Sequence, residues 1–308
     1  MQAKAANRMP CMDTTRISSS WHEGEQALQA RIGVREQLAE AGARILRDHM
    51  PQQHRAFFAE LPMLYTGTLD GEGQPWASVL AGTPGFAHSP TPRQLRIDAL
   101  PLPHDPAARH LAAGAPIGLL GLQAHTRRRN RLNGWISERD ARGFLVETGQ
   151  SFGNCPRYIQ PREIVAAPAA GEATATSLAA LDADALRLIR GADTFFIASA
   201  HPDARSGSDP SRGIDVSHRG GPAGFVQVDA EGALRVPDYA GNTFFNTLGN
   251  LLLEPRCGLL FVDYASGGRL HIAAHAELLW QGERQLRLEV LRAVHVTGGL
   301  PLRLRGAA

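Results

Sequence analysis

Hydrophobic and polar positions change period along this chain. Between residues 20 and 61 the apolar side chains recur at helical spacing. Leu28, Ile32, Leu38, Ile45 and Leu46 predict one helix ending before Pro51. Ser20-Trp-His-Glu23 has the form of its capping box, with a hydroxyl at the N-cap and a carboxylate three residues on. Residues 52–61 carry Phe57, Phe58 and Leu61 on one side and predict a second, short helix. After Pro62 the apolar residues come in short, turn-bounded runs. These predict strands at 63–69 and 75–81, joined by the turn Asp70-Gly-Glu-Gly73, and at 95–100, 117–122, 129–137 and 144–148, with a short helix at 105–113. Residues 166–177, AAPAAGEATATS, lack bulky apolar side chains and read as a linker. A helix at 178–190 opens a second series of strands, at 194–200, 214–218, 225–228, 234–237, 257–264, 269–279 and 287–296.

The second series repeats the first. WASVLAGTPGF from Trp76 aligns with DVSHRGGPAGF from Asp215, so that Ser78 meets Ser217, Gly82 meets Gly221 and Phe86 meets Phe225, all 139 residues apart. Leu95-Arg96-Ile97 falls on Leu234-Arg235-Val236 at the same offset, and Gly118-Leu119-Leu120 on Gly258-Leu259-Leu260 at 140. A nearly constant offset across three separated segments predicts a tandem duplication of one antiparallel unit, docked as a pseudo-dimer.

With 308 residues, 43% of them hydrophobic, the chain can bury a substantial core. Its net charge of +2 excludes binding a polyanion by bulk charge, and no nucleic-acid partner is expected. Lys4 is the sole lysine, so any anion site must use arginine, backbone N–H or hydroxyl donors. Three cysteines at wide spacing exclude a disulfide scaffold and a cysteine-rich metal cluster. The N-terminus has no apolar leader run, and the longest apolar stretch, 111–122, is interrupted by Gly114, Pro116, Gly118 and Gly121. These features predict a cytoplasmic protein with no membrane partner.

Candidate chemistry concentrates in the second copy. Ser217-His218-Arg219-Gly-Gly221 ends a strand in a glycine turn; alternation puts Ser217 and Arg219 on one side and His218 on the other. A hydroxyl, a guanidinium and free glycine N–H groups make an anion cradle. Asn242, Asn246 and Asn250 share one face of the helix predicted next, with Asn242 or Thr243 at its start, where N–H groups favour phosphate. The first copy has Val79, Leu80 and Ala81 at the cradle positions and carries HTRRRNR, 125–131, instead. That run is either a solvated strand edge or a contribution to a pocket at the seam between the copies. Gln150-Ser-Phe-Gly-Asn154-Cys-Pro-Arg157 closes the first copy; Cys155 has no neighbouring histidine or acid to activate it. His271 and His275 share a strand face without a third metal ligand, so no metal is expected. No catalytic acid or base stands out, and no phosphate-loop, dinucleotide-binding or nucleophile-elbow motif is present.

Together, IDVSHRGGPAGFV, LRVPDYAGNTFFNTLGNLLLEPRCGLLFVDY and RLHIAAHAEL in the second copy, with GTLDGEGQPWASVLAGTPGF, HTRRRNRLNG and QSFGNCPRYIQPR in the first, resemble the pyridoxamine 5′-phosphate oxidase-like FMN-binding split-barrel superfamily, and within it the flavin-nucleotide-binding subgroup. The resemblance covers about residues 50–165 and 180–298. It implies a mainly β fold with accessory helices (α+β), built as two tandem six-stranded antiparallel split barrels. An N-terminal arm and helix (1–50) would precede a degenerate first barrel (51–165), the linker, and a second barrel (178–308) holding the flavin phosphate. It implies FMN as cofactor, held by Ser217, His218 and Arg219 on the strand, Asn242, Thr243 and Asn246 at the helix start, and Gln150, Ser151, Asn154 and Arg157 from the other barrel. Asn242-Thr243 replaces the basic residue of true pyridoxamine phosphate oxidases, so the implied activity is an FMN-dependent oxidoreductase of another substrate, working with a small-molecule or protein electron donor or acceptor. The alternatives are a non-catalytic flavin-binding or electron-carrier module and a haem-handling split barrel using His218, His271 or His275. The tandem unit is free to pair again as a homodimer.

Overall fold

A computed structural model of the chain describes residues 20–169, 171–207 and 209–305. Three short helices open them: α1 (Glu23–Arg31), α2 (Arg35–Ile45) and α3 (Gln52–Ala59). The first sheet contains β1 (Met63–Leu69), β2 (Pro75–Ala81), β3 (Ala87–His88), β4 (Gln94–Ile97), β5 (Pro116–Gln123), β6 (Arg128–Arg139) and β7 (Phe144–Gly153). Two short strands, β8 (Ile164–Ala166) and β9 (Thr174–Leu178), and helix α4 (Ala183–Gly191) lead to the second sheet. It contains β10 (Thr194–Ala200), β11 (Ile214–Gly220), β12 (Gln227–Val228), β13 (Leu234–Pro237), β14 (Arg256–Asp263), β15 (Gly268–Gln281) and β16 (Glu283–Thr297), with α5 (Asn246–Leu253) before β14. A last strand, β17 (Leu302–Leu304), pairs with β8.

The strand orders are β2-β1-β5-β6-β7-β4-β3 and β11-β10-β14-β15-β16-β13-β12. They are the same order, with α5 standing where the first copy has a 3-10 turn (Pro106–Arg109) between β4 and β5. The architecture is therefore mainly β with accessory helices, antiparallel throughout, and internally duplicated. The end strands of each sheet do not bond to one another, so neither sheet closes by hydrogen bonding.

Strand alternation explains how the copies meet. In β1, Leu64 enters the first copy's core while Met63 and Tyr65 enter a second apolar layer; in β2, Leu80 and the pair Ala77, Val79 divide the same way. In β10, Phe195 and Ile197 enter the second copy's core while Phe196 and Ala198 enter that same shared layer. The central strands are thus buried on both faces, one against their own unit and one against the other copy. Two glycines let the backbones close. A Cβ on Gly118 would strike the Ile214 carbonyl oxygen, and one on Gly258 would strike that of Pro75. These are equivalent contacts, related by the repeat, so the seam is a pseudo-two-fold interface.

Several sequence expectations are corrected. The N-terminal helix is two helices, broken after Ile32 at Gly33, whose φ is +73°. Its cap is His22 with Glu25, not Ser20 with Glu23. The 105–113 helix shrinks to the 3-10 turn, capped by Asp105 with Pro106 at its first position. The 166–177 segment is not simply a linker: β8 pairs with β17, and β9 pairs with β16. Helix α4 starts only at Ala183, where Asp182 caps Ala185 N–H. The first copy has a short strand, β3, that its pattern did not suggest; it is the counterpart of β12, found within the strand expected at 225–228, and makes seven strands in each repeated order rather than six.

Gly118→Ala and Gly258→Ala should each destabilise the protein by about 1–3 kcal/mol, the usual penalty of overpacking against backbone. Gly191→Ala should not, because a Cβ there meets nothing within 4 Å. Urea denaturation of the three variants checks this, and equal midpoints would contradict the seam geometry.

Candidate functional site

The cleft is built across the seam. From the first copy, β6 contributes Arg129 and Arg131, and the chain leaving β7 contributes Asn154, Cys155, Arg157 and Tyr158. From the second come Ser217, His218 and Arg219 on β11, the 237–245 loop, and the first turn of α5. They surround a cavity of about 130 Å³.

A buried polar network sets its floor. The carboxylate of Asp215 accepts from Arg131 Nη1 (2.7 Å) and Asn133 Nδ2 (2.7 Å) on one oxygen, and from Asn250 Nδ2 (2.9 Å) on the other. Arg131 Nη2 and Thr247 Oγ1 both donate to Ser217 Oγ. With Oγ accepting twice, the Ser217 hydroxyl proton is free to donate into the cleft.

The walls carry more donors than the protein satisfies. Arg129 Nη1 donates to His218 Nδ1 at 3.1 Å, and Arg129 makes no ion pair among the described residues. Burial, together with the like charges of Arg131 and Arg219, pulls its pKa down to about 10. Arg219 is paired with Asp238 at 2.6 Å, and Arg284 holds the other Asp238 oxygen at 2.8 Å. Four cleft residues leave buried N–H groups without a partner: Arg129 Nε, Arg131 Nε, Arg219 Nε and Asn154 Nδ2. A cluster of unmet donors in a half-enclosed, arginine-rich space suits an anion with several acceptor oxygens.

Strain gathers at the same place. Tyr158, Thr243 and Phe245 all have positive φ, 63°, 60° and 63°, and all three line the cleft. Such conformations cost about 1–3 kcal/mol each and persist where their surroundings hold them. Tyr158 stacks on Tyr239 at the mouth, ring centroids 5.1 Å apart, and both rings are exposed.

Eight sequence-predicted residues converge here: Ser217, His218, Arg219, Asn242, Thr243, Asn246, Asn154 and Arg157. Their roles differ from expectation. His218 lies on the face of β11 opposite Ser217 and Arg219, edge-on to Phe196 in the seam, but its Nδ1 reaches the cleft's edge, where Arg129 donates to it. Asn242 is not helical; its side chain accepts from Phe244 N–H and braces the turn. Helix α5 begins at Asn246, and the asparagine stripe serves separate partners, Asn246 donating to Glu25 and Asn250 to Asp215. Gln150 and Ser151 do not line the cleft. Both lie within β7, opposite Asn133 and Leu132, and Ser151 Oγ meets His54 Nδ1 at 3.0 Å. His271 and His275 share a face of β15, which pairs with β14 without a register shift, but His271 is buried in the seam while His275 is exposed, so the two do not meet at one site. Arg129 and Arg131 carry the site more than any residue singled out for it; their signal was the arginine run opening β6, the second of the two readings given for it.

Away from the cleft, His22, Glu23 and His201 come together. Each ring accepts a backbone N–H at Nδ1, from Gly24 and from Asp203. Both therefore carry their proton on Nε2, and His201 gives it to Glu23. A metal would need those nitrogens as lone-pair donors, so this set does not fit one.

No family model matches this chain, and no curated protein matches it. Solved structures give distant likenesses. HutZ, the heme storage protein from Vibrio cholerae, is 12% identical with a TM-score of 0.27 over 38% of this chain and 95% of its own. YcgR of Escherichia coli, solved with c-di-GMP, is 9% identical with a TM-score of 0.23 over 83% and 84%. The inhibitor of motility MotI/DgrA from Bacillus subtilis is 9% identical with a TM-score of 0.20 over 74% and 87%. Likenesses of this size carry no argument about the site. No helix among the described residues is long and apolar enough to cross a membrane.

Burial, followed by the charges of Arg129, Arg162 and Arg219, holds His218 well below the usual imidazole value. Burial and the neighbouring His201 pull His22 down to about 4. His54, His110 and His271 are lowered by burial too. These rings are neutral in the fold and take up protons in the unfolded chain below about pH 6.5. Their contribution to stability is complete above that pH and is lost as pH falls toward 4, at about 1.4 kcal/mol per pH unit per proton. Buried Glu25, raised by burial and by Asp215, acts in the opposite direction but is a single group. Urea midpoints should therefore fall between pH 7 and pH 5, and a flat or rising profile on acidification would contradict the neutral buried histidines.

Proposed function

We propose that the cleft binds FMN by its phosphate and that the chain is a flavin-dependent oxidoreductase built from tandem split barrels, with one flavin per chain. The observation that carries this reading is the set of unpartnered buried donors on Arg129, Arg131, Arg219 and Asn154. Two observations support FMN as the ligand. The half-enclosed volume of about 130 Å³ is below the roughly 300 Å³ of ordinary ligand pockets, so it suits a phosphate head and leaves a planar ring to the open mouth. At that mouth stand the stacked rings of Tyr158 and Tyr239.

In this reading Arg129 supplies the uncompensated charge, and Ser217, Asn154 and Arg131 complete the donor shell. Asp238 restrains Arg219 and Arg284, which limits their share of phosphate binding. His218 stays neutral and orients Arg129 instead of moving a proton. Bound there, the cofactor supplies hydride or single-electron transfer, and the protein positions and tunes it. The one carboxylate lining the cleft is tied to two arginines, which favours a second reading: an electron carrier that exchanges with a small-molecule or protein partner.

The purified chain should show a flavin absorption spectrum, and denaturation should release FMN at one per chain. FAD, a Soret band, or no flavin uptake on reconstitution would overturn the proposal. Arg129→Ala should weaken FMN binding roughly ten- to a hundredfold, the range of a lost charge-assisted contact. Arg219→Ala should weaken it less. Isothermal titration ranks them, and steady-state turnover with NAD(P)H separates oxidoreductase from carrier.

A further inference from the structure

The duplication gives the strand residues of the cleft counterparts across the seam, and strand register identifies them. Thr66 faces Ser78 and Leu119, as Ile197 faces Ser217 and Leu259. Leu119 then faces Leu132, as Leu259 faces Ile272. Ser78 is therefore the counterpart of Ser217, His271 of Arg131, and Arg269 of Arg129.

The counterpart position is fully buried and polar. Ser78 Oγ donates to Asp105 Oδ1 at 2.6 Å, and Ala107 N–H donates to the same oxygen at 2.8 Å. Asp105 caps the 3-10 turn that stands where the second copy has α5. His271 Nε2 lies 3.9 Å from Asp105 Oδ2, while its Nδ1 meets the Ala77 carbonyl. Arg269, with no exposed surface, donates to the Gly298 and Pro103 carbonyls, and the nearest charge acting on it is that of Asp105. Arg269 Nε, His271 Nε2 and Asp105 Oδ2 are all buried without a partner. Ser78 thus donates to a carboxylate and Arg269 contributes its charge beside it, while His271, its proton held on Nδ1 by the Ala77 carbonyl, gives that carboxylate no hydrogen bond; the equivalent Ser217 and Arg129 of the open cleft have no carboxylate of their own copy to meet.

We infer that Asp105 is an internal anion: its carboxylate fills the second, pseudo-symmetric anion site, and vacating it restores a site for a small oxyanion such as phosphate. The inference rests on reading the open cleft as an anion site. It accounts for a duplicated protein with one open cleft: the first copy's Ser78 is satisfied by Asp105 of the same copy, and the second copy's Arg269 faces that carboxylate electrostatically while its donors bond to backbone carbonyls.

The test is equilibrium dialysis with radiolabelled inorganic phosphate on the full chain, in wild type, Asp105→Ala and Asp105→Ser. Serine can still cap Ala107 while removing the carboxylate. Wild type should bind one phosphate and both variants two, and adding Arg129→Ala should remove the first and leave the second. Folded variants that bind no more phosphate than wild type overturn the inference. Wild type that binds none overturns the cleft reading instead, and the variants then still decide this one, by one phosphate against none. Should a variant unfold, circular dichroism with added phosphate decides: refolding in phosphate supports the inference, and failure to refold in either variant overturns it.

Discussion

Arg131 reaches across the seam from β6 to Asp215 on β11, and both are almost fully buried. Breaking a buried ion pair by removing one partner costs about 3–5 kcal/mol, because the other charge is left without compensation. The pair therefore fixes how the two sheets sit. It also fixes what stands beside it. The free oxygen of Asp215 holds Asn250 and so anchors α5, which positions the strained 242–245 turn. The second nitrogen of Arg131 holds Ser217, leaving that hydroxyl free to donate outward. Because Asp215 neutralises Arg131, the uncompensated charge of the cleft falls on buried Arg129, two residues along the strand and on the same side, with exposed Arg157 beside the opening.

Much of the fold is legible in the sequence because alternation and duplication agree. The runs 63–69, 75–81 and 194–200 read as strands, and the recurrence of Gly118 at Gly258 marks a pair of equivalent close approaches between the copies. What alternation cannot show is which apolar face meets which neighbour. Tyr65 and Leu64 look alike in the pattern, yet one packs in the seam and the other in the unit's own core. Helix starts were the weakest reading. Asn242 and Asn246 resemble one continuous face, but the positive φ of Thr243 and Phe245 delays α5 until Asn246.

The candidate site was partly legible for a related reason. Short polar motifs on β11 and after β13 named the second copy's share of the cleft. The first copy's share depended on which side of β6 turns to the seam, and the bulge at Asn133/Gly134 shifts the facing positions of β7. Arg129 and Arg131 come to the cleft by that register, whereas Gln150 and Ser151 remain within the strand. The expected difference between the copies also has a fuller physical form than a missing motif. Ser217 of one copy is left with a hydroxyl proton to donate, whereas its counterpart Ser78 donates to Asp105.

The central claim is that one anion site, centred on Arg129, straddles the seam. Crystals soaked in tungstate, a heavy oxyanion of phosphate-like shape, test it most directly by anomalous diffraction. The account predicts one strong peak within hydrogen-bonding distance of Arg129, Ser217 and Asn154, and none beside Asp105. Tungstate absent from this cleft, or bound equally on both sides of the seam, would contradict it.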